Sequence, residues 1–317
     1  MNVEAESLQG GLLERVHSPG RVVLEVTERA LLSSPGDLLA VIERARRAGH
    51  AIAIDDLGVD PASLALLPLI DPDVIKIDMR IIQGHVDSDA ARIMSTVNTL
   101  TAARDVVVVA EGIETEEHLL TARAIGATHG QGWLFGRPSA QVPTVPAGPL
   151  LRRPVEHAED EASAATPFET VAAVLPARRS SRDLLLQVSH FLEARARASG
   201  DSAVLLSTFQ QGTNITPRTA LRYEALAEDC ALVFAFATGP VESLSPAIRV
   251  CGIAEDEPLA AEWDVVVLTA DFAATLVARE VDPAHHAAGL YDFVLTHDRG
   301  LAVDVARRLL HRTTRSA

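Results

Sequence analysis

Cysteine, positive charge and long apolar runs are all scarce in this chain. Two cysteines, Cys230 and Cys251, among 317 residues set up no disulfide framework. Both adjoin apolar strand-like runs, where a cysteine serves as a small buried residue rather than a redox sensor. Lysine and arginine number 28 against 43 acids, a formal net charge of −15. Such a surface excludes general nucleic-acid binding and adhesion to anionic membranes, though not local basic pockets. No apolar segment is long enough to span a bilayer, and the N-terminus lacks a signal-peptide pattern, so the expected setting is cytoplasmic. The second half has no glycine-rich phosphate loop, zinc spacing or nucleophile elbow. What is plentiful is apolar residue, 48%, enough for packed cores, and the length predicts two domains.

The most informative stretch is Ala51-Ile-Ala-Ile-Asp-Asp-Leu-Gly58. A short apolar run of buried-strand length leads straight into Asp55 and Asp56, and Gly58 lets the chain turn away. Adjacent carboxylates disfavour joint ionisation, and a divalent cation such as Mg²⁺ or Mn²⁺ removes that cost. Taken alone, the pair reads as a polar turn after a strand. The neighbouring runs change that reading. Val22-Val-Leu-Glu-Val26 places Glu25 in an apolar run, Asp73-Val-Ile-Lys-Ile-Asp78 places Lys76 in the next, Val106-Val-Val-Val-Ala-Glu111 ends on Glu111, and Gln131 follows a helical segment. The steps between these positions are each about one βα unit long. One polar group at the carboxyl end of each successive parallel strand describes the active face of a β/α barrel. A structural ion-pair network accounts for one such coincidence; five in register make a site the better reading.

Leu24-Glu-Val-Thr-Glu28, Ile54-Asp-Asp-Leu-Gly58, Ile75-Lys-Ile-Asp78, Ala110-Glu-Gly-Ile-Glu-Thr115 and Gln131-Gly-Trp-Leu-Phe-Gly-Arg-Pro138 together resemble, in order, the motifs of the EAL family of cyclic di-GMP phosphodiesterases. The resemblance covers roughly residues 1–140, and Asn2-Val-Glu-Ala-Glu-Ser-Leu8 is similar to the segment carrying the family's metal-binding Asn. It implies a TIM-type (β/α) barrel and a two-metal site hydrolysing cyclic di-GMP to the linear dinucleotide. By resemblance, Asn2, Glu25, Asp55 and Asp56 form the metal shell, with Asp55 the candidate bridge. Glu111 is a metal ligand or the base orienting water, and Lys76 positions water or stabilises developing negative charge. Gln131 lies at the site floor or the substrate, and Glu28 supports the loop after Asp56. That loop departs from the family pattern at Val59, Asp60 and Pro61, where the family has flexible and aromatic positions. The departure puts loop-dependent activation in doubt.

The family's opening strands and its Glu-Ala-Leu motif have no counterpart ahead of Asn2, so the expectation is a partial barrel. A late start codon, a real truncation or strands supplied by another chain would each account for this. A barrel short of strands exposes unpaired edges, which a homodimer or a partner signalling protein would cover.

Ser34-Pro-Gly-Asp37 predicts a helix start with Ser34 as cap, and Arg44, Arg46 and Arg47 predict its solvated face. Helices are expected over 80–104 and 114–126. His118 and His129, outside any metal-ligand spacing, read as helix surface and barrel-end residues.

Residues 141–165 read as a semi-extended Pro- and Ala-rich linker. Residues 166–317 predict a second α/β domain around one sheet. Its strands are expected at 203–207, 231–236, 248–251 and 264–268. Its helices are expected from Ser180 to about Ala198, near 216–227 and 270–279, and at 301–311. Phe209-Gln-Gln211, Arg222-Tyr-Glu-Ala-Leu226, Glu262-Trp-Asp264 and Phe293-Val-Leu-Thr-His-Asp298 resemble the DICT sensory domain. That resemblance implies a signalling input regulating the barrel. Tyr223 and Trp263 are candidates for a ligand pocket, with core packing the simpler role. His285 and His286 are candidate metal ligands, with solvated loop histidines the simpler assignment.

The sequence therefore supports a cyclic di-GMP phosphodiesterase module under sensory control. The rival is an inactive EAL-like regulator that binds cyclic di-GMP or a protein partner.

Overall fold

The computed structural model describes residues 2–3, 22–27, 32–60, 62–84, 88–139, 165–241, 244–281 and 289–314. The chain divides into two compact units, Met1–Ala158 and Glu159–Ala317.

In the first unit, short apolar runs alternate with helices. The strands are β1 (Asn2–Val3), β2 (Val23–Thr27), β3 (Ala51–Leu57), β4 (Val74–Ile77), β5 (Val107–Ala110) and β6 (His129–Gly130). The helices are α1 (Pro35–Arg47), α2 (Ala62–Ile70), α3 (Met79–Gln83), α4 (Ser88–Ala103) and α5 (Glu116–Ile125). All six strands are parallel and lie in sequence order, β1 to β6. An order that never reverses, joined by right-handed crossovers, keeps the connecting helices on one face of the sheet. That is how a (β/α) barrel winds, and it differs from a doubly wound sheet, whose order turns back at a switch point. The strands read as nearly continuous apolar runs because both faces are covered. Ile52, Ile54, Leu57, Ile75, Ile77 and Val108 are buried.

Ser34 precedes α1, but its side chain makes no capping hydrogen bond. Pro35 in the first turn and Asp37 supply the start signal instead. Of the arginines expected on a solvated face, Arg46 is half-buried and donates to Ile70 O at 2.9 Å and to Asp71 O. Arg104 also donates to Asp71 O, at 2.7 Å. These two guanidiniums satisfy carbonyls that the end of α2 leaves without helical partners. Asp60, in the loop that departs from the family pattern, has a local job: its carboxylate accepts from Ala62 N–H at 2.9 Å and caps α2. Thr115 caps α5, accepting from His118 N–H at 3.2 Å.

The second unit is built on a mixed seven-stranded sheet in the order β10-β9-β8-β11-β12-β13-β7. The strands are β7 (Arg178–Ser181), β8 (Val204–Gln211), β9 (Leu232–Thr238), β10 (Arg249–Ile253), β11 (Glu262–Leu268), β12 (Ala273–Glu280) and β13 (Leu290–Thr296). Helices α6 (Pro167–Ala172), α7 (Arg182–Ser199), α8 (Pro217–Asp229) and α9 (Arg299–His311) complete it. Two expectations are corrected here. Residues 270–279 form no helix. Thr269 and Phe272 close a tight turn, with Thr269 N–H donating to Phe272 O at 2.8 Å and Phe272 N–H to Thr269 Oγ1 at 2.9 Å, and β12 follows it. Ladders to β11 on one side and β13 on the other outweigh the helix preference of Ala273, Ala274 and Ala278. Ser180 opens no helix either; it belongs to the edge strand β7, paired only with β13, and α7 starts at Arg182.

Thr166 and Glu169 form a reciprocal capping box at the start of α6. That helix is tied to the sheet by an ion pair with one buried partner. Glu262, fully buried, accepts from Arg279 at 2.6 Å and from Phe168 N–H at 3.0 Å. Arg279 also lies 5.0 Å over the Phe168 ring.

Candidate functional site

The carboxyl ends of β2, β3, β4 and β5 bring four of the expected residues together, three carboxylates around the Lys76 ammonium. Lys76 Nζ lies 2.7 Å from Asp55 Oδ1, 2.8 Å from Glu111 Oε1 and 3.7 Å from Glu25 Oε1. Strand alternation explains the convergence. Glu25 stands between buried Leu24 and Val26, and Lys76 between buried Ile75 and Ile77, so both leave the packed side of their strands. Burial pulls the Lys76 ammonium towards a lower pKa. The hydrogen bonds from Asp55 and Glu111, and their charges, more than offset this and hold it above the ordinary lysine value.

Asp56 adopts a positive φ of 57° and is exposed. Its backbone N–H donates to Asp55 Oδ1 at 3.2 Å, which helps orient the Asp55 carboxylate. The Asp56 carboxyl is pushed up first by burial, then by the charges of Asp55 and Asp78, against weaker opposing pulls from Lys76 and Arg80. Asp55, Asp56 and Glu111 each offer an oxygen within 4.8 Å of the others'. Three carboxylates thus meet one ammonium, with the Asp56 carboxylate alongside, so negative groups outnumber the positive one. A cluster of hard oxygens with surplus negative charge fits a divalent cation of the Mg²⁺ or Mn²⁺ type.

Asn2 stands beside Glu25 in the β1–β2 register. Gln131 is exposed just beyond β6; its backbone N–H donates to Ala110 O at 2.8 Å, and no hydrogen bond joins its side chain to the cluster among the described residues. Glu28, His285 and His286 lie outside the described residues. Two contributors were not singled out as site residues. Asp78 caps α3, accepting from Arg80 N–H at 2.7 Å, and adds charge beside Asp56. Gln83 donates to Gly112 O at 2.7 Å and ties α3 to the loop that carries Glu111. Asp78 was visible as the last residue of the Ile75-Lys-Ile-Asp78 run, whereas Gln83 had no sequence signal.

Comparison with known proteins gives one family match in each unit. Residues 4–138 match the family model of the EAL domain. Residues 167–281 match that of the "Sensory domain in DIguanylate Cyclases and Two-component system". The chain joins an EAL domain to a DICT domain. Among curated relatives, the "Probable cyclic di-GMP phosphodiesterase PdeA" of Escherichia coli K12 is 35% identical over 129 residues, covering 40% of this chain and 18% of the relative. The "Cyclic di-GMP phosphodiesterase RocR" of Pseudomonas aeruginosa is 32% identical over 135 residues, covering 42% of this chain and 34% of the relative. This chain therefore matches only 18% and 34% of their lengths. A solved structure of Klebsiella pneumoniae BlrP1, titled as a manganese/cy-diGMP complex, is similar at 31% identity, covering 44% of this chain and 38% of that one, with a TM-score of 0.39.

Proposed function

We propose that this chain is a cyclic di-GMP signalling protein. Its first unit hydrolyses cyclic di-GMP to the linear dinucleotide, under the control of its second. The observation that carries this reading is the Lys76 cluster, with Glu25, Asp55 and Glu111 from three different strands around one ammonium and Asp56 alongside. In keeping with it, the PdeA and RocR relatives are named as phosphodiesterases.

Asp55, Asp56 and Glu111 would hold Mg²⁺ or Mn²⁺, with Glu25 and Asn2 completing the shell. Such a cation supplies Lewis acidity at a phosphate oxygen and makes a bound water more acidic. The chain's own residues do the rest. Glu111 orients the attacking water and takes its proton. The Asp56 N–H and Lys76 fix the orientation of Asp55. Lys76 also offsets negative charge as one P–O bond to ribose breaks and the new P–O bond to water forms. Gln131 contacts the substrate at the site edge; Glu28, the candidate support of the loop after Asp56, lies outside the described residues. We further propose domain limits of 1–140 and 166–317 joined by a linker over 141–165, a homodimer or partner-bound signalling state, and a cytoplasmic setting. Among the described residues no helix is long and apolar enough to cross a membrane.

Calorimetric titration tests the assignment. Mg²⁺ or Mn²⁺ is added to the full chain, then cyclic di-GMP, in the wild type and in the Asp55→Asn/Asp56→Asn variant. The expected result is metal-dependent nucleotide binding that the double variant loses. Equal binding by the double variant would remove the acidic cluster from the function. Tight binding with no linear product would favour the inactive regulator.

A further inference from the structure

The second unit contains a cleft of about 70 Å³, open at its mouth, between α7, α8, β8 and β11. Phe209 and Tyr223 form part of its wall, edge to face with centroids 5.1 Å apart, and Trp263 forms another part.

The polar lining is a built network. Tyr223 is buried, and its hydroxyl lies 3.1 Å from Glu193 Oε1 and 2.7 Å from Ser207 Oγ. Arg222 Nε donates to the other carboxylate oxygen, Glu193 Oε2, at 2.6 Å. Both oxygens of Glu193, itself 4% exposed, are thereby engaged, so the carboxylate is not the group awaiting a partner. Ser189 is the exception. It is also 4% exposed, it lines the cleft, and its hydroxyl has no hydrogen-bond partner. Buried polar groups in native folds are nearly always paired, and an unpaired one facing a cavity points to a missing ligand or water.

The charge balance indicates what kind of ligand. Arg182 and Arg222 line the cleft against the single carboxylate Glu193, in a chain whose net charge is −15. Arg222 uses Nε on Glu193, and no partner is seen for its terminal nitrogens among the described residues. An aromatic wall and two guanidiniums against one carboxylate suit a flat molecule bearing an anionic acceptor.

We propose that this cleft binds a small aromatic carboxylate, its ring against Phe209 and Trp263 and its carboxylate on the Arg222 guanidinium and the Ser189 hydroxyl. The site is independent of the acidic face of the first unit: cyclic di-GMP chemistry can fail with this binding intact, and the reverse.

The test uses the full chain carrying Trp133→Phe, which leaves Trp263 as the only indole of the two in the sequence. Trp263 emission is followed while benzoate, phenylacetate or benzamide is added, with calorimetry in parallel. The expected result is a saturable change with at least one of the two acids, and binding of benzamide weaker by roughly tenfold or more, since it lacks the charge. Arg222→Gln is expected to weaken acid binding by a similar factor. Because that change leaves Glu193 buried without its cation, Ser189→Val is the companion variant; it keeps the volume, loses the hydroxyl, and is expected to weaken binding several-fold with the melting curve unchanged. No saturation by either acid up to about 10 mM, the weak end of specific binding, would overturn the proposal. So would benzamide binding as tightly as the acids, or acid binding unaltered in both variants.

Discussion

Lys76 holds three carboxylates through one ammonium, so removing it exposes how they repel one another. Lys76→Met is expected to lower the stability of the first unit by about 2–3 kcal/mol at neutral pH, because a half-buried charge cluster loses its only close cation among the described residues. Millimolar Mg²⁺ should then restore more stability to the variant than it adds to the wild type. Urea denaturation with and without Mg²⁺ reads both, and unchanged stability would show that the cluster carries little strain. In the second unit, Asp264 is fully buried, with Oδ2 3.1 Å from Thr208 Oγ1 and Oδ1 unpaired. Burial, then the charge of Glu262, pushes its pKa well above the usual carboxylate value, with Thr208 and Arg279 opposing. A folded acid with a raised pKa keeps its proton where the unfolded chain has lost it. Stability is therefore fully present below the ordinary Asp value and falls as pH rises from about 4 towards the folded pKa. Asp264→Asn is expected to flatten that slope, as read from melting curves between acid and neutral pH. Cys230 needs no redox role: burial, with a smaller push from Asp229, lifts its thiol to about 11.

At the scale of elements, the loop after β5 is set by Gly112, whose φ is +67° and whose position leaves no room for a side chain. A Cβ there would meet Met79 Cβ at 2.4 Å. Gly112→Ala is expected to cost about 2 kcal/mol in urea denaturation and to displace Glu111 with the loop. The parallel strands of the first unit were legible because strands covered on both faces read as unbroken apolar runs, so the polar residues ending them stood out. The order of Glu25, Asp55, Lys76 and Glu111 along the sheet followed from that spacing. That Lys76 would bridge the other three did not, since it depends on register and side-chain direction. The second unit was read less well, for reasons tied to particular elements. The Ala-rich start of β12 carries helix preference, and only its two neighbouring ladders make it a strand. Strand β7, Arg178–Ser181, is a polar edge with no apolar run to reveal it. Tyr223, a pocket candidate with core packing the simpler role, is buried and also lines the cleft, because its ring is covered while its hydroxyl joins the polar network.

At the scale of the molecule, each unit has its own sheet and core. The Glu262–Arg279 pair, the α6 cap and the seven-stranded sheet all lie within residues 166–317. That fragment is expected to fold alone with one cooperative transition. A non-cooperative melt, with no near-ultraviolet signal, would show that its core needs the first unit. The central claim concerns the other unit: the Lys76 cluster is a reaction centre and not merely a structural ion-pair network. It is tested most directly by the rate at which the full chain opens cyclic di-GMP in Mn²⁺ or Mg²⁺, followed by chromatography of the linear dinucleotide, in the wild type and in Glu111→Gln. The expected result is metal-dependent turnover that falls by roughly a hundredfold or more in the variant, as loss of a group orienting and deprotonating water should cause. Equal rates in the two proteins, or no metal-dependent turnover by a folded wild-type chain, would contradict the claim.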